Sequence, residues 1–222
     1  MPDTWDKLVV ALDLDSQEKI KEIINTLSSK VNKFKIGPVA FVRFGPQVLS
    51  WVQEKGADVF LDLKFYDIPN TMVEAAKALV DLDVWAFTVH LKAGKDNLSL
   101  LNSRVSDYSK EKKKRKPLIF GVTELTSEET SLERVLFLAK KGKEAGVDGI
   151  VSSVWEARKI KDETGLLTIT PGIRKESAGD DQKRTATLWA AKEANVDYYV
   201  VGRPIVKSSN PLAAAESLME EK

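Results

Sequence analysis

Asp62 and Lys64 are the charged residues best placed for chemistry, because they lie two positions apart in the apolar run VFLDLKF (59–65). In a β-strand this spacing sends both side chains to one face, while Leu61 and Leu63 occupy the other. Lone charges are costly to bury, so we expect charges of opposite sign to compensate one another there.

Two more charges could extend this pair into an alternating Lys-Asp-Lys-Asp row. Lys35 lies in the preceding apolar run, and Asp67 lies in the turn that follows the pair. Such a row is either a structural ion-pair network or an acid–base centre. The chain has one histidine, His90, and no cysteine, which excludes thiolate nucleophiles and argues against histidine triads. Acid–base chemistry would fall mainly to Lys, Asp, Glu or Tyr.

A second cluster consists of glycine–arginine motifs near the C-terminus. Gly172 is followed two residues later by Arg174, and Gly202 is followed directly by Arg203. Glycine lets a backbone approach a ligand closely, and arginine matches phosphate oxygens bidentately. The motifs favour a phosphate site, and the alternative is ordinary turn glycines beside surface arginines.

Eight short apolar runs alternate with segments of helical period, which indicates parallel strands joined by helical crossovers. The runs are 8–14, 33–37, 59–65, 86–91, 117–125, 149–154, 166–173 and 198–205. Eight units in 222 residues predict a single (β/α)8 TIM barrel spanning 1–222, with an open doubly wound sheet as the alternative. In a barrel both clusters would meet at the C-terminal ends of the strands, where phosphate sites form after strands seven and eight.

Several local signals predict where helices begin. Ser16 and Ser131 precede segments of helical period, Asn70 or Thr71 would cap the helix after the third strand, and Asn210 with the following proline opens the last one.

Three other segments have simpler interpretations. The basic run 110–116 is expected to be a solvated loop before strand five, and 175–183 is either a surface loop or a lid with Gly179 near a hinge and Gln182 reaching the ligand. His90 is expected to be a hydrogen-bonded wall residue.

Charge and composition bear on partners and location. The net charge of +1 gives no general attraction to nucleic acid or membranes. No run reaches the roughly 18 apolar residues of a membrane span, and no signal peptide is evident. We expect a cytoplasmic protein that binds neither nucleic acid nor membrane.

The stretch DLKFYDIPNT (62–71) resembles the signature of the orotidine 5'-phosphate decarboxylase family, in its bacterial branch. Related sugar-phosphate barrels share the Asp-x-Lys-x-x-Asp spacing but not the Ile-Pro-x-Thr continuation. The resemblance continues in order through ALD (11–13), KIG (35–37), VTELTS (122–127), TPGIR (170–174), DDQ (180–182) and VGRPI (201–205).

The resemblance implies decarboxylation of orotidine 5'-monophosphate to uridine 5'-monophosphate (UMP), without metal or cofactor. Lys64 would protonate C6 of the pyrimidine as carbon dioxide leaves, Asp62 would lie beside the substrate carboxylate, and Lys35 would hold both the carboxylate row and the ribose. Asp67, Ile68 and Thr71 would reach the neighbouring site of a homodimer.

The resemblance also implies a set of substrate-binding residues. They are Asp13 for the ribose hydroxyls, Thr126 for the ring, Gln182 for ring and phosphate, Gly202 and Arg203 for the phosphate, and Arg174 at the base of the lid. Two alternatives stay open: a metal-dependent sugar-phosphate decarboxylase or aldolase, and a non-catalytic nucleotide-binding barrel.

Overall fold

A closed barrel of eight parallel strands forms the centre of the protein. The computed structural model describes residues 4–125, 130–174 and 186–220. The strands pair in chain order, and the eighth pairs with the first. Their bounds are β1 Leu8–Ala11, β2 Lys33–Ile36, β3 Asp58–Phe65, β4 Ala86–His90, β5 Leu118–Val122, β6 Gly149–Val151, β7 Leu167–Thr170 and β8 Tyr198–Val201. The predicted barrel is therefore confirmed, and the open-sheet alternative is wrong.

Helices follow the strands and surround the barrel. Within the described ranges they are α1 Gln17–Leu27, α2 Pro38–Phe44, α3 Gln47–Gln53, α4 Pro69–Asp81, α5 Lys95–Lys112, α6 Leu132–Ala145, α7 Val154–Thr164, α8 Leu188–Glu193, α9 Arg203–Val206 and α10 Pro211–Met219. Short 3-10 turns span Thr4–Lys7 and Leu91–Ala93. In these same ranges, none of the helices is both long and apolar enough to cross a membrane.

The hydrophobic core has two layers because strand side chains alternate between the two faces of the sheet. Outward residues such as Leu61 pack beneath the helices, whereas Phe60 points into the barrel. Phe60 and Phe120 have ring centroids 5.8 Å apart, and Trp85 and Tyr198 meet at 5.0 Å. These aromatic side chains pack against one another inside the barrel.

Most predicted helix starts are confirmed. Ser16 Oγ accepts a hydrogen bond from the Lys19 N–H at 3.2 Å, and the side chains of Ser131 and Asn210 cap their helices in the same way. The prediction for Asn70 or Thr71 is wrong, because α4 begins one residue earlier at Pro69. Proline has no backbone N–H and a φ suited to the first helical turn, so it starts the helix without a side-chain cap.

The basic run 110–116 is solvated, as expected, but it is not a loop throughout. Its first residues complete the last turn of α5, which ends at Lys112, and Lys113 follows in the left-handed region with φ 54°. Lysine and glutamate favour helix, which explains why the helix continues into the run.

Candidate active site

A cavity of about 660 Å³ opens at the C-terminal end of the barrel, above the aromatic floor formed by Phe60. Its size is typical of a small-molecule site. Both clusters singled out in the sequence line it. The residues that they contribute are Lys35, Asp62, Lys64, Gly172, Arg174, Gly202 and Arg203. The barrel therefore brings together groups that are as far as 168 positions apart in the chain (203 − 35).

Four charged side chains form a continuous row along one wall of this cavity, which we call the charged row: Asp13, Lys35, Asp62 and Lys64. Lys35 Nζ lies 2.8 Å from Asp13 Oδ2 and 3.4 Å from Asp62 Oδ2. Lys64 Nζ lies 3.0 Å from Asp62 Oδ1. The two central side chains are well buried, since Lys35 is 10% exposed and Asp62 is 15% exposed.

Thr88 of β4 braces the charged row, and sequence reasoning missed it. Its hydroxyl donates to Asp62 Oδ1 at 3.0 Å and accepts from the Lys64 backbone N–H at 2.8 Å. Lys64 has a left-handed φ of 52°, and the pairing of β3 with β4 shifts register around it. An irregularity of this kind re-aims a side chain at a strand end and is strained unless its surroundings hold it. The only sequence signal was a threonine inside the apolar run AFTVHL.

The environment of Asp62 favours its charged form. Burial alone would raise the pKa of this carboxyl group. The ammonium groups of Lys35 and Lys64, with the hydrogen bonds from Lys64 and Thr88, outweigh burial and hold the pKa of Asp62 below its usual value. Asp62 therefore stays an anion throughout the neutral range.

Lys35 experiences the complementary balance. Burial disfavours its ammonium form and would lower its pKa. The carboxylates of Asp62 and Asp13 outweigh that penalty through charge and hydrogen bonding, so the pKa of Lys35 is raised above its usual value. The centre of the row is thus a fixed pattern of alternating charges that requires no proton transfer to form.

These opposite shifts predict that the free energy of unfolding falls at both ends of the pH scale. The Asp62 contribution is complete above the usual pKa of 3.8 and is lost as pH falls through the lower folded pKa. The Lys35 contribution is complete below 10.5 and is lost as pH rises through the higher folded pKa. Denaturant titrations across pH should show a weaker acid-side slope in Asp62→Asn, and an unchanged acid-side slope would contradict the coupling.

Asp67 lies outside the charged row within its own chain. It is exposed, and its Oδ1 accepts a hydrogen bond from the Ile68 N–H at 2.7 Å. Within one chain the row therefore runs from Asp13 to Lys64, because Asp13 supplies a second carboxylate to Lys35. The Asp67 end of the expected order Lys35-Asp62-Lys64-Asp67 stays a prediction. Ile68, which is 66% exposed, and Thr71 are also exposed and do not line the cavity.

The glycine–arginine motifs line the part of the cavity that follows β7 and β8, and β8 is the neighbour of β1. Gly172 adopts φ 82°, which only glycine adopts readily, and Arg174 is 7% exposed. Gly202 precedes α9, whose first residue is Arg203. The alternative of surface arginines is wrong for Arg174, because its side chain is buried beside the cavity.

Two expected ligand-binding residues, Thr126 and Gln182, lie outside the described residues. The same is true of the predicted lid 175–183. His90 ends β4, and its Nδ1 accepts from the Lys92 N–H at 3.4 Å, as expected for a wall residue.

Sequence reasoning also missed the acidic residue Glu124, which lines the cavity after β5. Its carboxylate is 9% exposed and forms ion pairs with Lys92 and with Arg134, whose Nε lies 3.3 Å from Oε1. A second missed residue is Ser152, whose buried hydroxyl has no hydrogen-bond partner in the part of the chain that the structure describes. Neither Glu124 nor Ser152 stands at a regular spacing from another polar residue that would have predicted a place in the site.

The carboxylates of the charged row are paired with lysines. The Lys35 ammonium lies between Asp13 and Asp62, and Lys64 approaches the remaining oxygen of Asp62. Among residues 4–125, 130–174 and 186–220, no three histidine or acidic side chains are grouped so that they could hold a metal ion.

The closed barrel and the charged cavity at its C-terminal end define the protein as a (β/α)8-barrel enzyme. Residues 6–218 match the model of the orotidine 5'-phosphate decarboxylase / HUMPS family, and the chain belongs to that family.

Relatives cover almost the whole chain. The orotidine 5'-phosphate decarboxylase of Carboxydothermus hydrogenoformans is 43% identical over 97% of this chain and 95% of its own length. That of Malacoplasma penetrans is 42% identical over 93% and 94%. The crystal structure of the Lactobacillus acidophilus enzyme superposes with a TM-score of 0.82 at 34% identity, covering 96% of this chain and 97% of that one.

Proposed function

We propose that the protein decarboxylates orotidine 5'-monophosphate to UMP, a step of pyrimidine nucleotide synthesis. The observation that carries the proposal is the position of Asp62, which is held between the ammonium groups of Lys35 and Lys64 in the mouth of the barrel. The relatives named as orotidine 5'-phosphate decarboxylases support the same reaction.

The chemical difficulty of this reaction is the electron pair left on C6 of the pyrimidine. When the bond between C6 and the carboxylate breaks, carbon dioxide leaves and its bonding electrons stay on the ring carbon. Lys64 is 36% exposed to the cavity, and its ammonium is already oriented by Asp62. A charge oriented beforehand stabilises the developing carbanion without reorganising. Lys64 then transfers a proton to C6, and its amine recovers a proton from solvent.

Asp62 and Lys35 would act through their charges. Asp62 orients Lys64 and lies where the substrate carboxylate would enter, so repulsion between the two anions would favour loss of carbon dioxide. Lys35 keeps Asp62 ionised and links it to Asp13, which would bind the ribose hydroxyls.

The phosphate would bind after β7 and β8, between Arg174, Gly202 and Arg203. Charge-assisted hydrogen bonds from arginine contribute about 1.5–3 kcal/mol each. Because the phosphate is remote from the bond that breaks, this binding energy can be used to orient the pyrimidine against Lys64.

The direct test is to add orotidine 5'-monophosphate and follow the loss of its ultraviolet absorbance in the presence of excess chelator. We expect full turnover after exhaustive chelation, because the charges that act on the substrate are those of lysine and aspartate. Activity that is lost on chelation and restored by magnesium would instead favour the metal-dependent sugar-phosphate enzyme.

We further propose that the protein acts as a homodimer in which Asp67, Ile68 and Thr71 complete the partner's site. Apolar side chains are exposed on α2 and between β3 and α4, and these segments follow the neighbouring strands β2 and β3. They are Val39 (52% exposed), Val42 (83%), Tyr66 (62%) and Ile68 (66%). Exposed apolar residues that lie together are typical of an interface.

A shared site predicts complementation between two inactive variants. Lys64→Ala and Asp67→Ala homodimers should each lose most of their activity. After subunit exchange, a mixed dimer has one site with both defects and one site with neither. We therefore expect activity to recover to about one quarter of the wild-type value, given random exchange and one intact site in half of the dimers. Recovery that is absent after proven exchange would place Asp67 in its own subunit's site.

A further inference from the structure

Gly37 occupies the junction between β2 and α2, next to the charged row. It precedes Pro38 as the N-cap of α2 and provides no side-chain hydrogen bond to the helix. Its φ of −99° and ψ of −177° describe extended backbone that any residue adopts. The conformation of the chain therefore does not require glycine at this position.

Asp13 and Lys35 fill the space beside Gly37, and for this reason no side chain fits there. A Cβ atom built on Gly37 would lie 2.1 Å from Asp13 Oδ1 and 3.2 Å from Asp13 Cγ. It would also lie 3.2 Å from Lys35 Nζ. The first distance is far inside van der Waals contact, so the Asp13 carboxylate occupies the volume that the smallest side chain would need.

We infer that Gly37 is a positioning residue for the proposed reaction, because its missing side chain leaves the space in which the Asp13 carboxylate bonds to Lys35. The inference rests on the proposed function for its effect on turnover. Its geometric content is independent of any substrate: with Asp13 placed as it is, 2.8 Å from Lys35, no volume is left for a Cβ on residue 37.

A methyl group at this position would displace a side chain rather than the backbone. The Asp13 side chain is 44% exposed and has room to rotate toward solvent. Lys35, which is 10% exposed, would keep Asp62 at 3.4 Å and lose its shorter bond to Asp13. The fold would therefore survive, while the end of the row that faces the ribose would be misplaced.

The test is a double-mutant cycle of Gly37→Ala, Asp13→Ala and the double variant, with kcat/KM for orotidine 5'-monophosphate as the readout. A misplacement of about 1 Å at such a site can cost about a hundredfold, so we expect Gly37→Ala alone to lower kcat/KM by about a hundredfold. In the Asp13→Ala background the same substitution should cost less than about threefold, because the carboxylate that it displaces is gone. The melting temperature of Gly37→Ala should stay within about 3 °C of wild type.

A crystal structure of Gly37→Ala separates the inference from the proposed function. We expect Asp13 to have moved, with neither of its own carboxylate oxygens within 3.5 Å of Lys35 Nζ. An unmoved Asp13, near-wild-type kcat/KM in Gly37→Ala, or an equal loss with and without Asp13 would each overturn the inference. If wild type leaves orotidine 5'-monophosphate unchanged while Asp13 has moved in the variant, the proposed function fails and the positioning role of Gly37 stands.

Discussion

Replacing Lys64 with alanine is expected to lower kcat for decarboxylation of orotidine 5'-monophosphate by at least about 10⁴-fold while UMP still binds. The substitution removes both the cation that stabilises the C6 carbanion and the acid that protonates it, and each effect is large. UMP carries no carbanion at C6, and its proposed phosphate contacts come from residues after β7 and β8 rather than from β3, so its dissociation constant should change little. Stopped or continuous ultraviolet assays and calorimetry with UMP provide the two measurements.

A buried lysine at the opposite end of the barrel provides the matched control. Lys33 begins β2, is 9% exposed and donates to Asn32 Oδ1 at 3.0 Å, far from the cavity lining. Lys33→Ala removes the same side chain from the same barrel and should keep near-normal kcat. Near-normal turnover in Lys64→Ala would refute the proton-donor role, and equal losses in both variants would indicate a general effect on the barrel.

Arg203→Ala should raise the Michaelis constant for orotidine 5'-monophosphate by about a hundredfold. Loss of two charge-assisted hydrogen bonds, at about 1.5–3 kcal/mol each, is enough for such an effect. A smaller decrease in kcat should accompany it, because phosphate binding also helps to orient the reacting ring. Steady-state kinetics over a wide substrate range would separate the two parameters.

The cleaner measurement uses orotidine, which lacks the phosphate. The slow turnover of orotidine should be the same in wild type and Arg203→Ala, because this substrate offers no phosphate for Arg203 to bind. Arg158→Ala, an exposed arginine on α7, serves as the control and should behave as wild type with both substrates. An unchanged Michaelis constant in Arg203→Ala, or an equal loss with orotidine, would argue against phosphate binding by this side chain.

Several elements of the fold were predictable because they depend on local patterns. Apolar runs separated by segments of helical period identified all eight strands, and short polar side chains such as Ser16 and Ser131 identified helix starts. The start of α4 was misplaced because two different local signals compete there, and the fixed φ of Pro69 prevails over the capping tendency of Asn70.

The sequence by itself determined which chemical groups are available to the site, and its periodicity predicted the strand face from which each side chain leaves. The two-residue spacing of Asp62 and Lys64 predicts that both side chains enter the barrel mouth, and both line the cavity. The motifs around Gly172 and Gly202 lie at the ends of the last two apolar runs, which predicts their position after the last two strands.

Only the tertiary structure decided which of these groups touch. Thr88 reaches Asp62 across 26 positions in the chain, and Asp13 bonds to Lys35 across 22. Such contacts depend on barrel register, on the irregularity at Lys64 and on the empty volume beside Gly37. The physical reason is that hydrogen bonds and ion pairs require placement within a fraction of an ångström, whereas residue type and periodicity specify only the direction in which a side chain leaves the backbone.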